Sequence, residues 1–396
     1  MATVTLKPGH VQPVWAGHPW VYEQAIARIE GGAVAGDELS VVDPRGNFLG
    51  RGFYSPGSAI PVRILVRDRD TPVDATLFRN RLLRAVEHRR LFGLPSRETN
   101  AVRIVNAEGD DLPGLVIDLF ADVAVVQLGT IGMKRREDML FEVIDQVLSP
   151  RAILDRTSTA IARGENFQMG EGVVRGDAGV STLSFCERGL AYELPLSLAQ
   201  KTGFYVDQRP MRGRVEQLAN GCRVLDAYSY VGSFAMAAAR GGATEVVAVD
   251  ESALALEVGA ECARRNGLID RIRYVRSDAR ERMTLAGREG GFDLVLCDPP
   301  KFAPTRSSKT GALGAYQKLC AAACRATRPG GLLLVASCSA AVGLDALTRA
   351  LAMGAREVNL RATVLERFFQ GVDHPVAAAF PEGLYLKSVL ARVEPA

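Results

Sequence analysis

The sequence predicts an α/β protein: a doubly wound, Rossmann-like parallel sheet at the C-terminal end, after a small β-barrel and a central α+β domain. Three observations carry this expectation. From Arg223 onward, apolar strand-length runs alternate with helix-length segments, as repeated strand–helix units do. Residues 1–72 instead hold short apolar runs broken by turns such as Asp43-Pro-Arg-Gly46 and Ser55-Pro-Gly57, which suits a glycine-rich barrel. The chain has 396 residues, long for a single core, so several domains are expected, with boundaries at 1–72, 73–182 and 183–396.

Composition excludes more than it selects. The chain is 47% hydrophobic and 23% charged, ordinary for a globular protein, and its net charge of +3 is too small to identify an anionic partner. No apolar run reaches the roughly 18 residues needed to span a bilayer, and Met1 to His10 lacks a signal-peptide core, so a cytoplasmic protein with no membrane partner is expected. The 7 cysteines form no CxxC or zinc spacing and the 4 histidines are scattered, so no metal site is expected.

Near the start, Gly17-His-Pro-Trp-Val-Tyr22 places two aromatics together; Trp20 reads either as a base-stacking contact to substrate or as a plug for the barrel. From Asp74 the spacing is helical, with Arg79, Arg81, Arg84, Arg89 and Arg90 between the apolar positions, either tracking phosphates or forming a solvated face. Strands around Val102–Val105, Gly114–Asp118, Val123–Gln127 and Ala152–Asp155 and a helix near Arg135–Val147 fill the central domain, and 164–179 reads as loop or hairpin. A hairpin about Arg188-Gly189 then leads into the sheet.

In the sheet, Arg223–Ala227, Glu245–Asp250, Ile272–Asp278, Phe292–Cys297 and Leu332–Val335 read as parallel strands. Two closing runs, Ala362–Phe369 and Leu384–Val393, read as an antiparallel edge hairpin. A helix-length crossover between the fourth and fifth strands puts Asp298-Pro-Pro-Lys-Phe302 and Ser337-Cys-Ser339 on one edge, where ligands of such sheets bind. The first turn, Asp226 to Phe234 with Tyr228 and Gly232 inside it, lacks the GxGxxG dinucleotide pattern. Asp226 suits an ammonium group, Asp250 two ribose hydroxyls and Asp278 the exocyclic amine of adenine. Three acids at successive strand ends point to S-adenosylmethionine; as helix N-caps they would need no ligand.

Nearly the whole chain resembles the three-domain bacterial ribosomal RNA methyltransferases that form 5-methylcytosine in large-subunit RNA. The resemblance rests on His18-Pro-Trp-Val, Asn106–Leu115, Lys201–Arg209, the Asp226–Phe234 turn, Asp298–Phe302, Ser337-Cys-Ser339 and Asp373-His-Pro with Pro381–Lys387. It implies an N-terminal PUA domain, a central α+β domain, a class I methyltransferase sheet and ribosomal RNA as partner. It also implies that Gln208 or Arg209 borders the cofactor or substrate. The chain departs from that pattern at Gly232-Ser233, where two glycines are usual, and at Ala340-Ala-Val342, where relatives carry a histidine pair.

Carbon 5 of cytosine is a poor nucleophile until a thiolate adds to carbon 6. Cys338 fits that role, and Asp298, which also borders the cofactor, would hold nitrogen 3. Phe302 or Tyr230 would stack on the unstacked base and Lys301 would meet phosphate. Many cytosine-5 enzymes place a second cysteine where Lys301 stands, so a single-cysteine mechanism is expected, with Cys297, Cys222, Cys262, Cys320 and Cys324 as packing. Methylation of an exocyclic amine, or a catalytically silent RNA-binding assembly factor, stay as alternatives; a homodimer is compatible with the sequence.

Overall fold

The computed structural model describes residues 2–170, 172–198, 202–300, 309–339 and 342–396. The chain divides into two compact units. One comprises Met1–Cys186, Pro195–Val206 and Val372–Gly383; the other comprises Glu187–Leu194, Asp207–Gly371 and Leu384–Ala396.

The first unit contains two sheets. Six strands within Ala2–Val66 form a mixed sheet around Val4, Leu6, Val21, Leu39, Val41, Val62 and Ile64. Five strands between Ala101 and Gly176 form the second, packed with helices Ala75–Arg90 and Glu137–Leu148 around Phe78, Leu82, Ile104, Ile117, Val126 and Ile144. Residues 164–179, expected as loop or hairpin, are irregular at 166–170 and 177–179 and also supply the end of the helix Thr159–Glu165 and the antiparallel edge strand Gly172–Gly176. The period-2 signal is weak there because the strand is short and only partly covered.

The arginines of the basic helix meet acids and polar groups of the same unit. Arg89 is 1% exposed and makes a two-pronged bond to Asp110 (2.5 and 2.8 Å). Arg84 pairs with Asp111 at 2.5 Å, Arg81 bonds the Asp111 carbonyl, and Arg79 reaches Gln146 at 3.3 Å. Spacing identified the helix correctly but could not show that acids of a loop thirty residues away meet its arginines.

The second unit is built on a seven-stranded sheet: β1 (Arg223–Ala227), β2 (Glu245–Asp250), β3 (Ile272–Arg276), β4 (Phe292–Cys297), β5 (Thr327–Ser337), β6 (Leu360–Phe369) and β7 (Lys387–Pro395), in the order β3-β2-β1-β4-β5-β7-β6. Helices α1 (Arg209–Leu218), α2 (Ser233–Arg240), α3 (Ala253–Arg265), α4 (Ala279–Arg288), α5 (Lys309–Ala326) and α6 (Leu344–Glu357) accompany it. Val246–Val249, Leu294–Cys297 and Leu333–Ala336 are buried, as parallel strands covered on both faces must be. β1, β4 and β5 pair in parallel, whereas β7 runs antiparallel to both β5 and β6. The two closing runs therefore pair as expected, with the last strand inserted inside the edge.

The sequence pattern assigns no element to α1. Its anchor is Arg212, 1% exposed, which grips the equally buried Glu187 through two bonds (2.5 and 2.8 Å), with Arg209 at 3.4 Å from the same carboxylate. Deleting one partner of a buried pair strands the other's charge. Glu187→Ala is expected to cost about 3–5 kcal/mol, read as a lowered denaturant midpoint, and an unchanged midpoint would contradict the pairing.

Candidate active site

Parallel pairing brings the reactive strand ends to one edge. Asp226 lies one residue before the end of β1, opposite Leu296. Asp298 follows the end of β4, whose Cys297 is opposite Val335, and Cys338 follows β5. Because β7 runs the other way, its first residue, Lys387, sits at this edge across from Ser337. The strand order also reverses between β1 and β4, the crevice where open α/β sheets hold ligands.

Asp226 is 1% exposed, and its Oδ2 accepts from the Ala235 amide of α2 at 3.0 Å. Burial pushes its carboxyl from an ordinary 3.8 up to about 8; the Ala235 bond and Arg212 oppose the rise, while the negative charges of Asp298 and Asp250 add to it. Asp250 accepts from the amides of Tyr230 and Ser252, both at 2.9 Å. Asp278 caps α4, its Oδ1 accepting from Glu281 N at 2.8 Å, which is the helix-capping geometry considered for it. Of the three acids, Asp226 is thus the one whose charged form a cationic partner would stabilise most. A sulfonium ligand with an ammonium arm would supply such a partner, and Asp250 stands on the neighbouring strand.

The turn between β1 and α2 makes room through backbone strain. Tyr228, Tyr230 and Gly232 adopt φ of 65°, 53° and 69°. For the two tyrosines the left-handed form costs roughly 1–2 kcal/mol each. The amides of Ser229 and Gly232 hold the turn through Val249 O and Ser229 O, both at 2.8 Å. Burial raises the Tyr228 phenol pKa well above its ordinary value, so it stays neutral against the core. A Cβ on Gly232 would lie 2.9 Å from Tyr274 Oη.

Gln208 Nε2 donates to Asp298 Oδ2, fixing the carboxylate that follows β4. Tyr385 Oη donates to Asp207 Oδ2 at 2.6 Å, anchoring the neighbouring residue. Arg209 is turned to Glu187. Lys201, Lys301 and Phe302 lie outside the described residues.

Cys338 is partly exposed, whereas Ser337 and Ser339 are both 0% exposed. Tyr316 Oη donates to Ser337 Oγ at 2.8 Å, the same oxygen accepts from Ser339 N at 3.3 Å, and Lys387 Nζ donates to Ser339 O at 2.7 Å. The serines therefore brace the turn that presents the thiol. Cys297 is 1% exposed in the core and burial raises its thiol well above the ordinary range. Cys320, Cys324 and Cys262 are buried too; Cys222 is only partly so.

Trp20 belongs to the first unit. Its Nε1 donates to Glu108 Oε1 at 2.7 Å and its ring meets Phe380 edge-on at 4.5 Å, beside His18, which lies 3.3 Å from Glu382. Sequence reasoning assigned no role to Lys387, Tyr316, Tyr385 or the Glu187–Arg212 pair. A lysine opening a strand is visible in the sequence, but the direction in which that strand pairs is not.

Among the described residues, no group of three or more His, Cys, Asp or Glu side chains is placed to hold a metal ion, and no helix is long and apolar enough to cross a membrane.

Comparison with known proteins places these features in a family. Residues 4–67 match a PUA-like domain and residues 172–380 match an S-adenosylmethionine-dependent methyltransferase model. The chain is 34% identical over 393 residues to ribosomal RNA large subunit methyltransferase I of Enterobacter sp. (strain 638), covering 98% of this chain and 99% of that protein. It is 34% identical over 390 residues to the protein of that name from Erwinia tasmaniensis, covering 98% of each. A solved structure assigned as a methyltransferase in complex with SAH superposes with a TM-score of 0.87 at 19% identity, covering 99% of this chain and 100% of that one, which shows a shared fold.

Two outcomes follow. In the folded chain Asp226 keeps its proton to about pH 8, whereas in the unfolded chain it ionises near its ordinary 3.8. Its contribution to stability without ligand therefore falls as pH rises from about 4 to about 8. A cationic ligand selects the ionised form, so S-adenosylmethionine affinity should rise over pH 6–8 with proton release, measured by calorimetry in buffers of different ionisation enthalpy. Asp226→Asn should abolish that slope and weaken binding at pH 8 by about 10- to 100-fold, the loss of a charge-assisted bond; an unchanged slope would refute the assignment. Gly232→Ala should lower both the melting temperature and cofactor affinity, because its φ of 69° and the 2.9 Å approach to Tyr274 leave no place for a methyl group.

Proposed function

We propose that this chain, which belongs to the S-adenosylmethionine-dependent methyltransferase family and, within it, groups with the ribosomal RNA large subunit methyltransferase I proteins, methylates carbon 5 of a cytosine in large-subunit ribosomal RNA. The observation that carries the cytosine-5 reading is the braced turn at Cys338. A partly exposed thiol stands between two buried serines, at the same sheet edge as Asp298 and the buried Asp226.

S-adenosylmethionine supplies an electrophilic methyl group on a cationic sulfur. Asp226 receives the cationic end and Asp250 the ribose, while the strained Tyr228–Gly232 turn leaves the backbone close enough for both. Asp298, oriented by Gln208, holds nitrogen 3 of the flipped base. Cys338 adds to carbon 6: a sulfur–carbon bond forms, and the 5,6 double-bond pair moves to carbon 5, which becomes nucleophilic. Carbon 5 would take the methyl group as the methyl–sulfonium bond breaks, leaving a neutral thioether; the carbon 5 proton then leaves to water, its electron pair re-forms the 5,6 double bond, and the sulfur–carbon bond breaks to return the thiolate.

Cys297 is buried and its thiol is held far from ionisation, which supports a single-cysteine mechanism. The PUA-like domain supports an RNA substrate. An amine-directed reaction would give the braced Cys338 turn no role.

The decisive experiment pairs Cys338→Ala with tritiated methyl transfer to unmodified large-subunit RNA and nucleoside analysis of the product. The wild type is expected to yield 5-methylcytosine and the variant to lose at least about 1000-fold in rate, as removal of a covalent nucleophile does. Full activity in the variant would end the thiolate mechanism, and a methylated amine in the product would replace it.

A further inference from the structure

The turn that presents Cys338 carries one charge to which the reaction above assigns no role. Lys387 is 5% exposed, and its Nζ donates to the Ser339 carbonyl at 2.7 Å. It opens β7 and pairs across from Ser337. That register places Lys387 beside the turn, with its ammonium on the Ser339 carbonyl, one residue from the thiol. We infer that Lys387 is a positioning residue for the nucleophile: its hydrogen bond fixes the turn and its charge favours the Cys338 thiolate. The inference deepens the nucleophile reading above and rests on it.

The groups facing this turn come from several elements. Asp298, beyond β4, is an acid whose negative form opposes a thiolate. Tyr316 of α5 interacts with both Cys338 and Asp298, but burial raises its phenol pKa and keeps it neutral and bonded to Ser337. Asp207 is held by Tyr385, two residues before Lys387. A nearby carboxylate raises a thiol's pKa and a nearby ammonium lowers it. Lys387 itself is buried, so its charge is screened less than a surface charge. The serine hydroxyls do not supply the missing charge, because Ser337 Oγ accepts from Tyr316 and from the Ser339 amide. The Cys338 proton passes to solvent before the base is attacked, and the ammonium stabilises the anion left behind.

The test reads Cys338 directly, by its alkylation rate with iodoacetamide against pH, followed by mass spectrometry, with the partly exposed Cys222 as internal reference. In the native protein the Cys338 midpoint should fall below the ordinary value of about 8.5, while Cys222, whose thiol is raised by burial, should stay above it. A Cys338 midpoint at or above that value would overturn the inference. Lys387→Gln retains a donor for Ser339 O but not the charge, and should leave at least about tenfold less thiolate at pH 7, a shift of one pH unit. Lys387→Arg retains the charge and should restore the native profile. A Lys387→Gln profile that superposes on the native one would overturn the inference, even if methylation falls. Methylation retained by Cys338→Ala would end the nucleophile reading while leaving the alkylation shift intact, so the two failures are distinguishable.

Discussion

Parallel strands all end on the same edge, and the chemistry of the second unit depends on that constraint. Hydrogen bonding between β1, β4 and β5 brings residues 226, 298 and 338 of the chain to one crevice, with no contact between their side chains needed to align them. The antiparallel β7 adds what parallel strands cannot, because it presents its first residue where they present their last. An acid, a thiol and a buried ammonium thus reach one site through backbone pairing.

The edge is electrostatically unfinished without a ligand. Burial raises the Asp226 carboxyl, and the negative forms of Asp298 and Asp250 add to the rise. Glu187 nearly neutralises Arg212, with two short bonds between buried groups, so this guanidinium does little to satisfy the aspartates. The left-handed tyrosines at 228 and 230 add backbone strain next to the same crevice. Stability spent there is consistent with a site built to receive a cation.

The first unit uses the same means for a different end. Arg89, Asp110 and the Asp373 carbonyl are bonded together, Asp373 also accepts from the Arg103 amide at 3.1 Å, and Asn106 donates to the Pro375 carbonyl at 2.9 Å. Three segments far apart in sequence, around residues 89, 106 and 373, are closed into one buried polar cluster. This is where the Asn106–Leu115 and Asp373-His-Pro motifs meet, and Trp20 and Phe380 join through their rings beside it.

By itself the sequence determined what local physics determines. Apolar alternation and turn residues marked the N-terminal strands, the strand–helix repeats and the strand-end acids, and the opposite orientation of neighbouring residues in a strand marked Cys297 as a packing residue, which is buried. Segments whose pattern is short or polar, such as Gly172–Gly176 and α1, were not legible, because their stability comes from partners distant in the chain. Only the tertiary structure decided which charges are already satisfied: Arg89 by Asp110, Arg212 by Glu187, Asp278 by its own helix. It alone decided that Lys387 faces the Cys338 turn. A side chain's charge is written in the sequence, but the burial and the partner that give the charge its effect arise only when strands pair.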